Sequence, residues 1–209
     1  MTLLAPLATE PDKGAGQPAC AYALKRPLDV GLALLLVPIA VPLLLMLGLV
    51  IRLTSPGPAL FRQVRIGRGG RPFVCLKLRT MYAGTANLPS HAVAAGAVTR
   101  VGRRLRASKL DELPQLWNIL KGEMSFVGPR PCLPTQTELI DARRRLGLEE
   151  LRPGVTGLSQ IAGVDMRDPD RLAALDAGYL VRMSLRCDLA VLARTVCGGG
   201  RGDRVGGPS

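Results

Sequence analysis

The chain has 209 residues, of which 47% are hydrophobic, and 28 lysines and arginines against 16 aspartates and glutamates give it a formal net charge of +12. This length favours one domain with appendages, and the apolar content excludes a chain that is disordered throughout. Five cysteines without a Cys-x-x-Cys pair and a single histidine, His91, exclude a disulfide framework, a zinc finger and a Ser-His-Asp triad. The thiols are typical of a reduced, cytoplasmic compartment, and the basic excess indicates an anionic partner: nucleic acid, lipid head groups or phosphate-bearing substrates.

Both ends of the chain lack the composition of a folded domain. Residues 1–20 are rich in proline, glycine and alanine, and residues 198–209 form the glycine-rich tail GGGRGDRVGGPS. Such segments bury too little apolar surface to offset the entropy that folding costs. We therefore predict a disordered N-terminal segment over residues 1–20 and a flexible tail over residues 198–209.

The first predicted element is apolar, because residues 30–51 contain no charge at all. As a helix with a rise of about 1.5 Å per residue, this run would measure roughly 33 Å, enough for a hydrocarbon core of about 30 Å. The prolines and acidic residues that precede it, and the lack of a small-residue cleavage site after it, argue against a signal peptide. The segment is predicted to enter a membrane.

How this segment enters the membrane depends on Pro38 and Pro42. Each proline removes an amide donor and crowds the carbonyl four residues earlier, which favours a sharp bend in hydrocarbon. A spanning helix leaves its basic excess on one side, whereas basic residues flank both ends of this segment. These features predict a re-entrant helix-break-helix hairpin over residues 21–54 with both ends in the cytoplasm. A proline-kinked spanning helix is the alternative.

A small domain is predicted over residues 55–197, and it begins with a β-hairpin. The runs ALFRQVRIG and FVCLKLRTM are rich in strand-forming residues and are joined by RGGRP. A helix is predicted next over residues 101–120, with Ser108 as a possible cap and Pro114 as an interruption.

Further amphipathic helices follow in the same domain. One is predicted over residues 134–151, where the arginines at 143–145 are interpreted as a solvated face, and one or two more over residues 170–196. The predicted fold class is therefore α+β and mainly helical: a membrane hairpin followed by a small domain with a β-hairpin and several amphipathic helices.

Charge is distributed very unevenly along the chain. Residues 55–110 carry eleven lysines and arginines and no acidic residue, and the first two acids after them are the neighbours Asp111 and Glu112. Two carboxylates facing a purely basic segment suggest a site assembled around an anion. The alternative is a basic surface that faces a membrane or a nucleic acid.

The chemistry open to Asp111 is limited. A carboxylate in basic surroundings can be a nucleophile on phosphorus, a general base, or a ligand for a hard cation such as Mg²⁺. Neighbouring arginines would keep it ionised and neutralise charge on transferring phosphoryl oxygens. A solvated helix start, with acids near the positive end of the dipole, is the structural alternative.

The run RVGRRLRASKLDELPQLWNILKGEMSFVGPRP, residues 100–131, closely resembles the core motif of the bacterial sugar transferases, the monotopic polyprenyl-phosphate phosphoglycosyl transferases. Other segments resemble this family in the expected order: Lys25-Arg26-x-x-Asp29, FRQVRIG (61–67), KLRTM (77–81), LRPGVTGLSQIAG (151–163) and YLVRMSLRCDLAVLART (179–195). The resemblance covers roughly residues 22–196, nearly all of the chain outside its two ends.

The resemblance implies a reaction and its partners. Such enzymes transfer a sugar-1-phosphate from a nucleoside diphosphate sugar, usually a UDP-sugar, to a polyprenyl (undecaprenyl) phosphate, with Mg²⁺ as cofactor. This is the first membrane step in assembling exopolysaccharide, capsule, O-antigen or glycoprotein glycans. It implies that residues 55–197 are a catalytic domain on the cytoplasmic face of the bacterial inner membrane, in contact with lipids, and a homodimer is compatible with it. We expect a small form of the family, with no bundle of spanning helices before the catalytic segment.

The resemblance also assigns roles to residues. Asp111 would be the nucleophile that forms a covalent phosphosugar intermediate, and Glu112 would assist as a base; either carboxylate would contact the metal. Four basic residues match positions that bind phosphate groups or line the same region: Arg106, Arg130, Lys77 and Arg79. The membrane break of the family, a Ser-Pro pair, falls here on Val41-Pro42, so the proline is kept, the serine is not, and Pro38 is a candidate to compensate.

Several positions depart from the family pattern. The acidic residue expected soon after KLRTM is missing, and Ser159, Val164 and Met183 replace an aromatic residue, an arginine and a tryptophan. These changes lie where the nucleotide and sugar would be recognised, so the identity of the sugar donor stays open.

Two alternative functions also stay open: an inactive membrane scaffold, and a membrane-anchored basic binding protein. A nucleic-acid partner is not expected, because only 3% of residues are aromatic and few bases could stack.

Overall fold

The computed structural model describes residues 22–85, 95–164 and 166–198. The predictions for residues 1–20 and for the tail after Gly198 lie outside these described residues. The helices are α1 (Lys25–Thr54), α2 (Arg100–Ser108), α3 (Gln115–Lys121), α4 (Thr137–Arg145), α5 (Leu158–Ile161), α6 (Pro169–Arg182) and α7 (Leu185–Val196). The strands are β1 (Leu60–Ile66), β2 (Pro72–Leu78), β3 (Ser125–Val127) and β4 (Gly154–Thr156). A mainly helical α+β fold is thus confirmed.

Helix α1 is a 30-residue helix that is long and apolar enough to cross a membrane by length and composition. It continues through Pro38 and Pro42 without separating into two helices, so the re-entrant bend stays a prediction. One stripe of the helix is buried against the domain: Lys25, Asp29, Ala33, Ala40 and Ile51. The opposite stripe leaves large apolar side chains exposed, among them Leu35, Ile39 and Leu45.

The buried stripe makes α1 part of the protein core. Ala33 and Ala40 pack in one cluster with Cys75 of β2 and with Ile119 of α3. Ile51, near the other end of α1, packs in a second cluster with Leu78 of β2 and Leu105 of α2. The apolar helix and the domain after it therefore share their hydrophobic contacts, and neither buries its core surface alone.

The predicted β-hairpin is confirmed. Strands β1 and β2 pair antiparallel, with Phe61 opposite Lys77 and Gln63 opposite Cys75. Because side chains alternate between the two faces of a strand, Gln63 and Arg65 share one face of β1, and both are buried. The hairpin presents Lys77 on that same inner face.

The helix predicted over residues 101–120 is instead two helices joined by a tight turn. Helix α2 ends at Ser108, and Lys109 then adopts the left-handed conformation with φ of 59°, which no α-helix can continue through. A 3₁₀ turn at Leu110–Glu112 follows before α3 starts. Ser108 does not cap a helix start: its hydroxyl donates to carbonyls of its own helix. The actual cap is Thr99, whose hydroxyl accepts a hydrogen bond from the Gly102 amide at 2.8 Å.

Two short strands bring distant parts of the chain together. Strand β3 pairs parallel with β4, and the Gly128 amide donates to the Thr156 carbonyl at 2.9 Å just beyond the pair. A Cβ on Gly128 would overlap the carbonyl oxygen of Arg152, so only glycine permits this close approach of the two backbones. The segment after β3, Gly-Pro-Arg-Pro at residues 128–131, is thereby held against the turn around β4.

The C-terminal part packs α4, α6 and α7 behind these strands. Residues 170–196 form two helices, as predicted, and α4 ends before Gly147, which has a φ of 67°. The interpretation of the arginines at 143–145 as a solvated face is wrong for one of them. Arg144 and Arg145 are exposed, but Arg143 is buried and forms an ion pair with Asp176 at 2.7 Å. It lies four residues after the buried Leu139, so both share the inner face of α4.

Candidate active site

The carboxylate pair lies in the turn between α2 and α3. Within the described residues Lys109 is the only non-glycine residue with a positive φ, and it immediately precedes this turn. A lysine gains nothing from this backbone conformation by itself, so the surrounding packing must hold it there. The turn buries Asp111, which is 7% exposed, and places Glu112 beside two cations.

Glu112 forms the ionic centre of the site. Its Oε1 atom accepts a hydrogen bond from Lys77 Nζ at 2.9 Å and lies 3.4 Å from Arg130 Nη2. All three side chains are between 13% and 17% exposed. The hairpin, the α2–α3 turn and the segment after β3 are far apart in sequence, and they meet here around one carboxylate.

Burial dominates the electrostatics of Asp111. Loss of water around the carboxylate raises the pKa of Asp111 from 3.8 to about 6, and the negative charge of Glu112 acts in the same direction. The cations Lys77, Arg106 and Arg130 oppose this rise. Asp111 is therefore ionised at neutral pH, yet it is more basic than an ordinary aspartate, which is what a carboxylate nucleophile needs.

Arg106 contributes a buried guanidinium to the site. It lies in the last turn of α2, where its Nε donates to the hydroxyl of Thr80 at 2.8 Å. Its Nη1 atom is buried and has no hydrogen-bond partner in the described residues. Buried donors are normally satisfied, so an unpaired guanidinium nitrogen is a candidate to bind an anionic ligand. Gly102 permits this placement, because a Cβ there would overlap the Thr80 carbonyl.

The structure places the Arg79 guanidinium at the exit of helix α1, where it binds the backbone of the turn that follows. Its Nη2 donates to the carbonyl oxygen of Ser55 at 2.8 Å and to the Ser55 hydroxyl at 3.0 Å, and its Nη1 donates to the carbonyl of Pro56. These bonds fasten the turn at the exit of α1 to the end of β2. Of the predicted site residues, Asp111, Glu112, Lys77, Arg106 and Arg130 are thus brought together, whereas Arg79 binds the turn that follows helix α1.

The backbone around Arg130 is held by neighbours that the sequence analysis did not single out. The carbonyls of Pro129, Arg130 and Pro131 accept hydrogen bonds from the Gly154 amide at 2.8 Å, Arg143 Nη1 at 2.9 Å and Arg65 Nη1 at 2.9 Å. Alternation along β1 could have identified Arg65 as inward-facing, and the four-residue spacing from Leu139 could have identified Arg143.

A second cluster that the sequence patterns did not indicate holds the start of α1 against α7 and β3. Lys25 Nζ forms an ion pair with Asp188 of α7 at 2.6 Å and donates to the Val127 carbonyl at 3.1 Å. The hydroxyls of Tyr22 and Tyr179 both donate to the same carboxylate at 2.7 Å. The basic motif before the apolar segment is therefore part of the packed interior.

Comparison with known proteins places this site in a family. The sequence profile of the bacterial sugar transferases matches residues 20–199. The chain therefore belongs to that family, as its motifs predict, and it is a phosphoglycosyl transferase enzyme.

Individual relatives agree with this assignment. The chain is 48% identical to the UDP-glucose:undecaprenyl-phosphate glucose-1-phosphate transferase of Caulobacter vibrioides over 185 residues, 82% of this chain and 68% of the relative. It is 34% identical to the UDP-N-acetylgalactosamine-undecaprenyl-phosphate N-acetylgalactosaminephosphotransferase of Aeromonas hydrophila, covering 86% of this chain but only 44% of that relative. It is 35% identical to the exopolysaccharide production protein ExoY of Sinorhizobium fredii, over 82% of this chain and 83% of the relative.

Proposed function

We propose that this protein transfers a sugar-1-phosphate from a UDP-sugar to undecaprenyl phosphate through a covalent intermediate on Asp111, with release of UMP. The observation that carries the proposal is the buried, basic carboxylate of Asp111 beside the ion-paired Glu112, Lys77 and Arg130. The names of the relatives supply the substrate class, because two of them are transferases from UDP-sugars to undecaprenyl phosphate.

In the first step an Asp111 oxygen attacks the phosphorus that bears the sugar. The bond from that phosphorus to the bridging oxygen breaks, UMP leaves with the electron pair, and an acyl phosphate links Asp111 to the sugar phosphate. In the second step an oxygen of undecaprenyl phosphate attacks the same phosphorus and returns the carboxylate. The covalent route splits a transfer between two polyanions into two steps, so both anions need not occupy the site together.

The cations contribute binding and charge neutralisation. Nη1 of Arg106, which has no hydrogen-bond partner in the described part of the chain, and the guanidinium of Arg130 are suited to phosphate oxygens, because planar guanidinium forks match that geometry. Lys77 projects from strand β2 of the hairpin to Glu112, where it would neutralise both this carboxylate and the transferring phosphoryl group.

The carboxylate pair also fits a magnesium ion. Mg²⁺ is bound by one or two carboxylates together with substrate phosphates and water, and no group of three or more possible metal ligands occurs among the described residues. Asp111 and Glu112 would hold the ion, and when bound it would polarise the diphosphate of the donor. We expect chelation with EDTA to abolish turnover and added Mg²⁺ to restore it.

We further propose that α1 is a re-entrant membrane helix with both of its ends on the cytoplasmic face. At its start, Arg26 donates to the Ile119 carbonyl at 2.6 Å, and at its exit Ser55 binds Arg79 of the same domain. Because both ends of the helix contact the same domain, we expect them to lie on the same face of the bilayer. The exposed apolar stripe then faces lipid, with Pro38 and Pro42 at the proposed bend.

Cysteine labelling tests this topology. Leu24→Cys and Thr54→Cys, each made in a variant without its exposed native cysteines, place single thiols at exposed positions at the two ends of α1. In intact cells an impermeant maleimide should leave both thiols unlabelled, and both should react in inverted membrane vesicles. Labelling of one position from each side would instead establish a spanning helix.

Turnover and trapping test the reaction. Purified protein with Mg²⁺ and undecaprenyl phosphate should release UMP from at least one of UDP-glucose, UDP-galactose and UDP-N-acetylgalactosamine. With donor labelled in its sugar and without acceptor, wild-type protein should retain the label after denaturation, and Asp111→Asn should neither retain label nor release UMP. Turnover by Asp111→Asn would disprove the covalent route, and the absence of UMP from every donor would favour a membrane scaffold.

A further inference from the structure

We propose that the buried ion pair between Arg143 and Asp176 is a positioning device that sets the location of Arg130 against the carboxylate pair. The inference rests on the proposed function, because it concerns how that reaction's phosphate-binding arginine is held. Neither residue touches Asp111 or Glu112 through any hydrogen bond in the described residues, so both would act through Arg130.

The pair is largely buried, with the side chain of Arg143 11% exposed and that of Asp176 2% exposed. Arg143 Nε and Nη2 donate to Asp176 Oδ2 at 3.1 and 2.7 Å, and the other carboxylate oxygen accepts from the Ser159 hydroxyl at 3.0 Å. Asp176 is 1% exposed and Ser159 is fully buried. The network ties α4, α5 and α6 together directly behind the segment that carries Arg130.

The remaining donor of Arg143 joins this network to the active site. Its Nη1 donates to the Arg130 carbonyl at 2.9 Å, while Arg65 and the Gly154 amide hold the carbonyls on either side. Three consecutive carbonyls are thereby fixed, and the Arg130 side chain projects from this held backbone to Glu112 at 3.4 Å.

The chemistry of the pair favours positioning over general stability. A buried ion pair contributes little stability compared with well-packed apolar residues of similar size, so stability alone does not account for it. A guanidinium donates in three directions in one plane, which lets Arg143 bind the Asp176 carboxylate and the Arg130 carbonyl at the same time. A lysine keeps the charge but lacks the planar fork that joins the two acceptors.

Ser159 connects the same network to the β4–α5 turn. Ser159 stands where the family pattern has an aromatic residue, and its hydroxyl donates to Asp176. Ser159→Ala removes one of the three hydrogen bonds on that carboxylate and leaves Arg143 in place, so it is a milder test of the same device.

Steady-state kinetics on the full-length protein test the inference, with whichever UDP-sugar the wild type turns over. Arg143→Lys should lower kcat/KM for that donor by about 10- to 100-fold, since a displacement near 1 Å at a reacting centre has effects of this size. Both a lower kcat and a higher KM are expected, because Arg130 would contact the diphosphate in the ground state and in the transition state. Partial unfolding would lower the apparent kcat and leave KM unchanged.

A double-mutant cycle distinguishes action through Arg130 from a separate effect. In an Arg130→Lys background, Arg143→Lys should reduce kcat/KM by less than about 3-fold further, because coupled residues are not additive. Arg144→Lys, at the exposed neighbouring position, is the matched control and should match the wild type. Ser159→Ala should show a smaller loss in the same direction as Arg143→Lys.

The outcomes separate the two proposals. If the wild type releases UMP but the Arg143→Lys and Arg130→Lys losses multiply independently, or KM is unchanged in Arg143→Lys, the positioning role is overturned. If the wild type releases no UMP from any donor, the proposed function fails first. A thermal unfolding scan of each variant identifies any protein that is not folded. If Arg143→Lys does not fold, the double-mutant cycle is made with Ser159→Ala and Arg130→Lys, and independent losses in that cycle overturn the positioning role.

Discussion

Replacing Asp111 by asparagine should destroy activity and at the same time stabilise the folded protein. Asparagine has nearly the shape of aspartate but carries no charge, so it removes the charge that burial disfavours. The pKa of Asp111 rises from 3.8 to about 6 on folding. Because one pKa unit corresponds to about 1.4 kcal/mol, ionised Asp111 costs the folded state about 3 kcal/mol at neutral pH.

The sign of the pH dependence follows from proton binding. Between pH 3.8 and about 6 the folded protein holds a proton on Asp111 that the unfolded chain has lost. The contribution of Asp111 to the free energy of unfolding therefore falls as pH rises through this window, and it is constant above it. The stability gain of Asp111→Asn should be complete above pH 6 and should disappear near pH 4.

Thermal unfolding of detergent-purified protein, in buffer with EDTA, measures this difference. The chelator is needed because a bound cation would stabilise the carboxylate and hide the effect. For a chain of this size about 3 kcal/mol corresponds to a rise in Tm of roughly 6–12 °C at pH 7.5. A variant no more stable than the wild type, or a gain that does not change between pH 4 and pH 7.5, would refute the reasoning.

Two neighbouring substitutions serve as controls. Glu112→Gln should have the opposite effect, a loss of about 1–3 kcal/mol, because it leaves the partly buried cations Lys77 and Arg130 without their shared carboxylate. Asp141→Asn changes a carboxylate whose side chain is 60% exposed, and it should alter the free energy of unfolding by less than about 0.5 kcal/mol.

Gly102→Ala should lower the free energy of unfolding by about 1–3 kcal/mol in chemical denaturation and should also reduce UMP release, since the new Cβ would overlap the Thr80 carbonyl and displace α2. Gly178→Ala, where no atom lies within 4 Å of the new Cβ, should be neutral or stabilising; equal effects at the two glycines would contradict the packing argument. Lys25→Met should destabilise the protein by about 3 kcal/mol, because it leaves Asp188 buried without its cation. A melting temperature equal to that of the wild type would show that the two tyrosine hydroxyls suffice to hold this carboxylate.

Helix α1 contacts the parts of the domain that carry the candidate site. The strand that leads to Arg130 contacts the start of α1 directly: the Phe126 amide donates to Asp29 at 3.1 Å, and the Val127 carbonyl accepts from Lys25. The exit of α1 is tied through Arg79 to the end of β2, two residues beyond Lys77. Helix α1 therefore contacts two of the segments that carry the cations proposed to bind phosphate.

Local sequence patterns determined much of this protein. The uncharged run over residues 30–51 specifies an apolar helix, and strand-forming residues around a glycine-rich turn specify the hairpin, because both signals depend only on neighbouring residues. The order of motifs around Asp111 and Glu112 was sufficient to identify the family, which the family profile confirms, and to nominate these two carboxylates for the reaction. The structure then brought three predicted basic residues to them: Lys77, Arg106 and Arg130.

Only the tertiary structure decided which charged residues bind each other. Arg79 lies two residues from Lys77 and binds the exit of α1, whereas Arg143 lies beside two exposed arginines and is buried on Asp176. The helix break at Lys109 likewise could not be predicted from the sequence, because no neighbouring residue favours the left-handed backbone conformation of this lysine. Charge and spacing along a chain do not reveal the partner of a side chain, since that partner comes from a segment dozens of residues away and burial determines how strongly the two interact.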